Sequence, residues 1–329
     1  MVSDLKIVFH YKCNKDAKNT IFAFLTEKNS YQMNSKFEVV IIGGSNAGLS
    51  AAMALGRALR KVLVIDNGRP CNRQTPHSHN FLSRDGVTPE FLSTVAKEQV
   101  LAYPTIKWMQ DTVNEVKLNE SGFSLHTTGG FQIEAKKVLL ATGVVDEMLP
   151  IFGFAECWGK SVLHCPYCHG YEVRNENLAV LANGEIGFEF VKLIRQWTPN
   201  VQLLTNGEPA LKEEQLEILK KAGIPIVSTP IQSILHQEGY LQHIQLVDNS
   251  LISLKAVFAR APMHQSPLVI QLGLQVSEQG FIAVNAFQES SVPGVFAAGD
   301  CTTPMRTIST AVAQGTMAGA AINSFLLEW

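Results

Sequence analysis

Along this chain the hydrophobic positions fall into two recurring units. Residues 37–42, FEVVII, form an apolar run broken only by Glu38, followed by the glycine turn GGSNAG, a stretch LSAAMALGRALR with apolar residues at helical spacing, and a second apolar run, KVLVID. Short apolar runs bounded by turns predict strands buried on both faces, and the spaced stretch between them predicts a covering helix. The same order returns later as the strand NLAVLAN, a turn carrying Gly184 and Gly187, the helix EIGFEFVKLIRQW and the strand VQLLTN. Elsewhere the pattern is weaker. Asn67 to about Glu120 is mixed and contains the polar segment CNRQTPHSHNFLSRDG, after which FSLHTTGG and FQIEAKKVLLATG predict a hairpin leading into another buried strand. VVDEMLPIFGFAECWGKS reads as a crossover, LQHIQLV and LKAVFAR as strands, and the chain closes with GFIAVN, GVFAAGDC and a helix rich in small residues, STAVAQGTMAGAAINSFLL.

Strand, glycine turn, helix and strand make the βαβ unit of a doubly wound nucleotide-binding fold. The fold class is therefore α/β, with two nested Rossmann-like domains, the second inserted in the first. The expected boundaries are an extension outside the fold at 1–32, the first part of the outer domain at 33–147, the inserted domain at 148–257, and the second part of the outer domain at 258–329.

A length of 329 residues suits two such domains. The 46% hydrophobic and 17% charged content describes a globular protein, and a net charge of −2 argues against a nucleic-acid or anionic-membrane partner. No apolar run approaches the roughly 18 to 20 residues that cross a bilayer. The opening segment MVSDLKIVFHYKCNKDAKNT follows its apolar patch with lysines, not with a small-residue cleavage site. A cytoplasmic, reducing location is expected, where a CxxC pair serves catalysis or metal binding more often than structure.

Such a pair stands in HCPYCHGYEV as Cys165 and Cys168, a spacing that lets a small disulfide ring close and reopen and so hold two electrons. With His169 the same letters spell a c-type haem attachment site, and a CxxC can be half a zinc site. Haem attachment goes with export, for which no signal is seen. Zinc needs about four ligands, and Cys13, Cys71, Cys157 and Cys301 are single and scattered. An inert buried pair is the remaining alternative to redox use, and no metal is expected.

The glycine turn at a helix start lets the backbone approach a pyrophosphate and supplies donors to it. Gly43 and Gly48 hold the first and third fingerprint positions, Ser45 stands at the second, and Asp66 ends the next strand, where a carboxylate can accept from adenosine ribose hydroxyls. Gly299 and Asp300 in GVFAAGD offer a second backbone approach and a second acid before a helix. Together the two clusters indicate a long ligand such as FAD.

These features, with the triplet 141–143 ending in Gly143 and with GKSVLHCPYCHG, resemble the low-molecular-weight thioredoxin reductase family of FAD-dependent pyridine nucleotide-disulfide oxidoreductases from about Phe37 to the end of the chain. The resemblance implies FAD held by the outer domain, Cys168 against the flavin, Cys165 exchanging with a thioredoxin-like protein or a small dithiol or disulfide, a homodimer, and a domain rotation that presents the pair to each in turn. It also places the HSHN loop, His77 to Asn80, near the flavin, where His79 or Asn80 could touch the ring. Two positions depart from the family. His169 stands where its reductases carry Asp, as in the thioredoxin-reductase-like dithiol oxidases, which pass electrons to oxygen. An imidazole with an ordinary pKa of ~6.5 can take and return a thiol proton near neutrality. In the second turn Ala182 replaces the first glycine, and Thr205 to Glu208 offer no base for the 2′-phosphate of NADPH. NADH or NADPH as electron donor is therefore weakly supported, oxygen is the alternative acceptor, and a non-enzymatic flavin redox sensor is a third reading.

Overall fold

A computed structural model describes residues 35–327; the extension expected at 1–32 lies outside the described residues. The chain opens with β1 (Ser35–Ile42), α1 (Asn46–Arg57) and β2 (Val62–Asp66), within a residue or a turn of the elements expected. The mixed region then holds α2 (Pro89–Leu101), β3 (Ile106–Gln110) and β4 (Val113–Asn119), and the hairpin follows as β5 (Gly122–Thr127) and β6 (Gln132–Leu140). Next come the short β7 (Val145–Asp146), α3 (Phe154–Cys157), β8 (Val162–Leu163) and the single turn α4 (Pro166–His169). The second βαβ unit is β9 (Leu178–Leu181), α5 (Gly184–Ile194) and β10 (Val201–Leu204). After α6 (Glu213–Lys221) and β11 (Ile226–Val227) come β12 (Ile231–Gln237), β13 (Tyr240–Leu246), β14 (Leu251–Ser253), β15 (Ala256–Ala259) and β16 (Met263–His264). The chain closes with α7 (Pro267–Gln271), β17 (Val295–Ala297) and α8 (Ile308–Phe325).

Two large sheets result, the first mixed and the second parallel. The first runs β3-β2-β1-β6, with β17 parallel to the last three residues of β6 and the β4-β5 hairpin antiparallel to its first half. Its central strands are buried on both faces, which is why they read as continuous apolar runs. Val39, Ile41, Val64 and Phe296 face α1 and α8, while Val40, Ile42, Leu63 and Ile65 face a core shared with the hairpin and α7. The two helices lie very close, because Gly315 and Gly319 of α8 bear on the backbone of Ala47 and Ala51; a Cβ on Gly315 would overlap the Ala47 carbonyl. The second sheet, β11-β10-β9-β15-β8, is wholly parallel and is flanked by the antiparallel sheet β12-β13-β14. Its strands come from 162–259, between β6 and β17 of the first sheet, so one nucleotide-type fold is nested in the other.

The chain passes between the sheets through β7 on the way out and β16 on the way back, and these pair with each other. No helix among the described residues is long and apolar enough to cross a membrane, and no cluster of metal-ligating side chains is found among them.

Candidate active site

The first glycine turn is closed by geometry that only glycine satisfies at Gly43. Its φ is +105°, and a Cβ there would overlap the carbonyl oxygen of Ala141. Gly43 N–H donates to the Ile65 carbonyl at 2.8 Å, and Gly44 N–H donates to Asp66 Oδ1 at 2.8 Å. Asp66 Oδ2 takes the Gly68 N–H at 3.0 Å. The acid expected to face a ribose thus also fastens the glycine turn expected to meet the phosphates. Ser45 is the N-cap of α1 and makes no side-chain cap bond, and the first turn of α1 carries no acid, so the positive end of the helix is left facing outward.

It faces a cleft of about 530 Å³. Gly43, Ser45, Asp66, Asn80, Gly143, Gly299 and Asp300, all expected in a cofactor site, line it; Gly48 does not, and instead lets α1 approach the Gly43 carbonyl. Ser78 Oγ lines the same cleft, buried and without a hydrogen-bond partner, the mark of a wall built to meet a ligand. The volume, the backbone cradle at Gly43 and the open helix terminus fit a dinucleotide.

Asp300 sits lower in the wall. Burial pushes its carboxyl up while Arg306 draws it down, and Arg306 Nε stands 3.4 Å from Asp300 Oδ2. Arg306 spends its two terminal nitrogens on Asp146 of β7, at 2.7 and 2.8 Å, both side chains nearly buried. Cys71 is exposed as a residue, but its Sγ lies 3.6 Å from Asp300 Oδ2 in the cleft wall; desolvation there, then that carboxylate, pushes its thiol up to about 11.

Opposite stands the cysteine motif. Cys165 caps α4, its sulfur accepting the Cys168 N–H at 3.1 Å, and Cys165 and Cys168 are joined as a disulfide with Cα atoms 5.3 Å apart. Cys168 and His169 line the cleft; Cys165 does not. Beyond the pair, Tyr167 and Tyr171 are exposed, and Tyr167 meets Trp197 edge-on. Two histidines flank the cysteines. His164 stacks on Trp158, and burial, with Arg306 nearby, pushes its pKa down to about 4. Burial, then the charge of His79, brings His169 down to about 4 as well. The expectation was an imidazole of ordinary pKa; burial in a wall where a charge is poorly solvated moves the midpoint down and leaves the ring in its neutral, proton-accepting form at pH 7.

The second turn is differently made. Asn183 caps α5, and its Oδ1 accepts from both Gly184 N–H and Ala210 N–H at 2.8 Å, while Nδ2 donates to the Glu208 carbonyl at 2.9 Å. Glu185 occupies the first turn of α5 and accepts from Gln215 Nε2 at 2.8 Å. The crevice beside this turn is about 280 Å³ and is lined by Ala182, Asn183, Thr205 and Asn206, with Arg260. Thr205 to Glu208 do lack a base, but Arg260 supplies one from the end of β15, 55 residues further along the chain. Sequence reasoning missed it, along with Asp146 and Arg306, since nothing local marks residues that meet only across strands.

A profile of the pyridine nucleotide-disulphide oxidoreductase family matches residues 37–315. The chain is 34% identical over 304 residues to the thioredoxin reductase tcpT of Claviceps purpurea, covering 88% of this chain and 94% of that protein. It is 31% identical over 307 residues to the thioredoxin reductase sirT of Leptosphaeria maculans, with 88% and 94% covered. A crystal structure of an oxidoreductase from Agrobacterium tumefaciens superposes with a TM-score of 0.81 at 34% identity, covering 88% and 98%. The chain belongs to the pyridine nucleotide-disulphide oxidoreductase family. It is a thioredoxin-reductase-like disulfide oxidoreductase with FAD as its cofactor, and a nicotinamide dinucleotide is the family's partner coenzyme.

Proposed function

We propose that electrons move between FAD and a substrate dithiol or disulfide through Cys165 and Cys168, with Cys168 on the flavin side, Cys165 exchanging with substrate, and His169 carrying the proton. One observation supports this above the others: Cys168 and His169 line the cleft, while Cys165, its disulfide partner, does not. FAD, when bound, supplies a two-electron acceptor and donor. Gly43, Ser45 and the start of α1 hold its pyrophosphate, Asp66 its adenosine end, and Asn80, Gly143, Gly299 and Asp300 the rest. A substrate thiolate attacks Cys165 Sγ, forming a mixed disulfide and releasing Cys168 as thiolate; the second substrate thiol then attacks the substrate sulfur, leaving as the substrate disulfide and freeing Cys165. Neutral His169 accepts a thiol proton in this direction and returns it in the other.

The substrate is a thioredoxin-like protein or a small dithiol or disulfide, acted on in the cytoplasm by a homodimer whose inserted unit, expected at 148–257, runs on to the end of β15 at Ala259. A second reading, an oxidase of small dithiols that hands electrons to oxygen, is favoured by His169 and by a second turn whose polar capacity Asn183 and Glu185 already use. Anaerobic addition of NADPH, NADH or a dithiol, followed by flavin absorbance, separates the two. Bleaching by a nicotinamide names a reductase, bleaching by the dithiol with recovery in air names the oxidase, and a flavin that none of them bleaches defeats both and leaves a sensor.

A further inference from the structure

The loop after β2 carries a histidine to which the exchange chemistry assigns no role. His79 lines the cleft with its side chain 20% exposed, and each ring nitrogen faces a carboxylate: Nδ1 is 3.5 Å from Asp85 Oδ1 and Nε2 is 3.6 Å from Glu172 Oε1. Those are ion-pair separations, longer than hydrogen bonds. Asp85 belongs to the same loop, but Glu172 follows His169 by three residues in the turn after α4. The contact therefore crosses from one sheet unit to the other and brings His79 to the segment that holds His169. Both carboxylates reach water, with side chains 70% and 40% exposed. His77 is the other titratable ring nearby, its centroid 6.4 Å away, with Nδ1 against the Gly86 carbonyl at 3.0 Å.

Closing the Cys165–Cys168 disulfide from the dithiol removes two electrons and two protons from the sulfurs. Both electrons and one proton pass to bound FAD, and the second proton must leave; opening the pair needs that proton back. We propose that His79 is the relay residue for this proton, passing it between His169 in the cleft wall and Asp85 and Glu172 at the solvent edge. The inference rests on the cysteine chemistry proposed above. It follows from the order of positions along the path: a ring in the cleft wall, then a ring placed between two carboxylates, then water. After burial, the charge of His79 is the second cause that lowers the His169 midpoint, so the two rings sense each other.

The test uses FAD-loaded protein, with His79→Gln and Glu172→Gln variants that keep the flavin as their check on folding. Turnover in sparse buffer should fall roughly tenfold in His79→Gln and less in Glu172→Gln, and added imidazole should restore His79→Gln to within about twofold of the parent, as expected when a proton carrier is replaced from solution. By NMR, without turnover, the His169 titration midpoint should rise in His79→Gln, since the opposing charge is gone. An unchanged rate in sparse buffer, a slow rate that imidazole leaves slow, or an unmoved His169 midpoint overturns the relay. A parent protein that no dithiol or nicotinamide reduces overturns the redox reading instead, and is seen before any variant is made.

Discussion

The two glycine turns are built on the same βαβ frame and differ at the residue that caps the helix. Ser45 leaves its side chain out of the cap and opens α1 onto a cleft of about 530 Å³, whereas the Asn183 side chain makes three hydrogen bonds, one capping Gly184 and two tying its turn to Glu208 and Ala210. No acid stands in the first turn of α1, while Glu185 stands in that of α5. A helix N-terminus binds phosphate only as far as its amides and its partial charge remain unspent. The frame is thus common to both units, and the turns differ in how far capping side chains already use their amides.

The sharpest way to break this contrast is to fill the open turn. Gly43→Val forces a β-branched residue to φ +105° and into the Ala141 carbonyl, so the folded variant should lose essentially all flavin; full flavin absorbance per chain would remove the turn from the FAD site. Next in size is the claim that redox chemistry belongs to this cleft alone. Cys165→Ser and Cys168→Ser should each abolish turnover and keep FAD, and only Cys165→Ser, which leaves the sulfur in the cleft wall, should show a thiolate-to-flavin charge-transfer band. The band in the other variant reverses the two roles.

His169→Ala should slow turnover about a hundredfold at neutral pH. With its midpoint pushed down to about 4, His169 stays a competent base as pH falls through 6.5, so the exchange rate should lose this base only as pH approaches 4; a midpoint near 6.5 would mean a solvated ring. The same shift has a stability consequence. Between the ordinary 6.5 and about 4 the unfolded chain binds protons at His164 and His169 that the native state refuses, so stability falls as pH drops through that window.

Coenzyme choice probes the tied turn. NADPH should be preferred over NADH by less than tenfold, about 1.4 kcal/mol, when flavin reduction by each is compared. A larger preference would make Arg260 a 2′-phosphate ligand, and Arg260→Ala would then erase it. The smallest effect sharpens the comparison at the caps themselves. Asn183→Ala should destabilise the protein by about 1 kcal/mol in denaturant unfolding, and Ser45→Ala by only a few tenths, because one side chain caps and the other does not. Equal costs would dissolve the distinction.

Both βαβ units, the nesting and the cysteine pair were legible because each is a local signal: buried parallel strands as apolar runs, a glycine turn where φ demands it, two cysteines at fixed spacing. α2 was not: Leu92, Val95, Ala96 and Val100 do fall at helical spacing, but only Val100 is fully buried and the stripe is lost among polar neighbours. β12 hides its period behind register shifts. The site was legible in its residue types and opaque in its charge states. Nothing near position 169 announces a ring neutral at pH 7, because the cause is the wall around it and a histidine ninety residues earlier. Arg306 with Asp146, and His79 with Glu172, likewise meet only after folding.

The first sheet has an order of assembly written into it. Its last strand, β17, pairs with Val138 to Leu140 of β6, and α8, which packs on α1, follows later still. Residues 162–259 can pair among themselves as soon as they emerge from the ribosome, but the cleft also needs Gly299 and Asp300, made near the end of synthesis. Cofactor capture therefore waits for the nearly complete polypeptide. A chain interrupted before β17 can shape the inserted unit and its disulfide motif, yet offers no enclosed seat for a flavin, so unfinished copies stay disconnected from the electron supply.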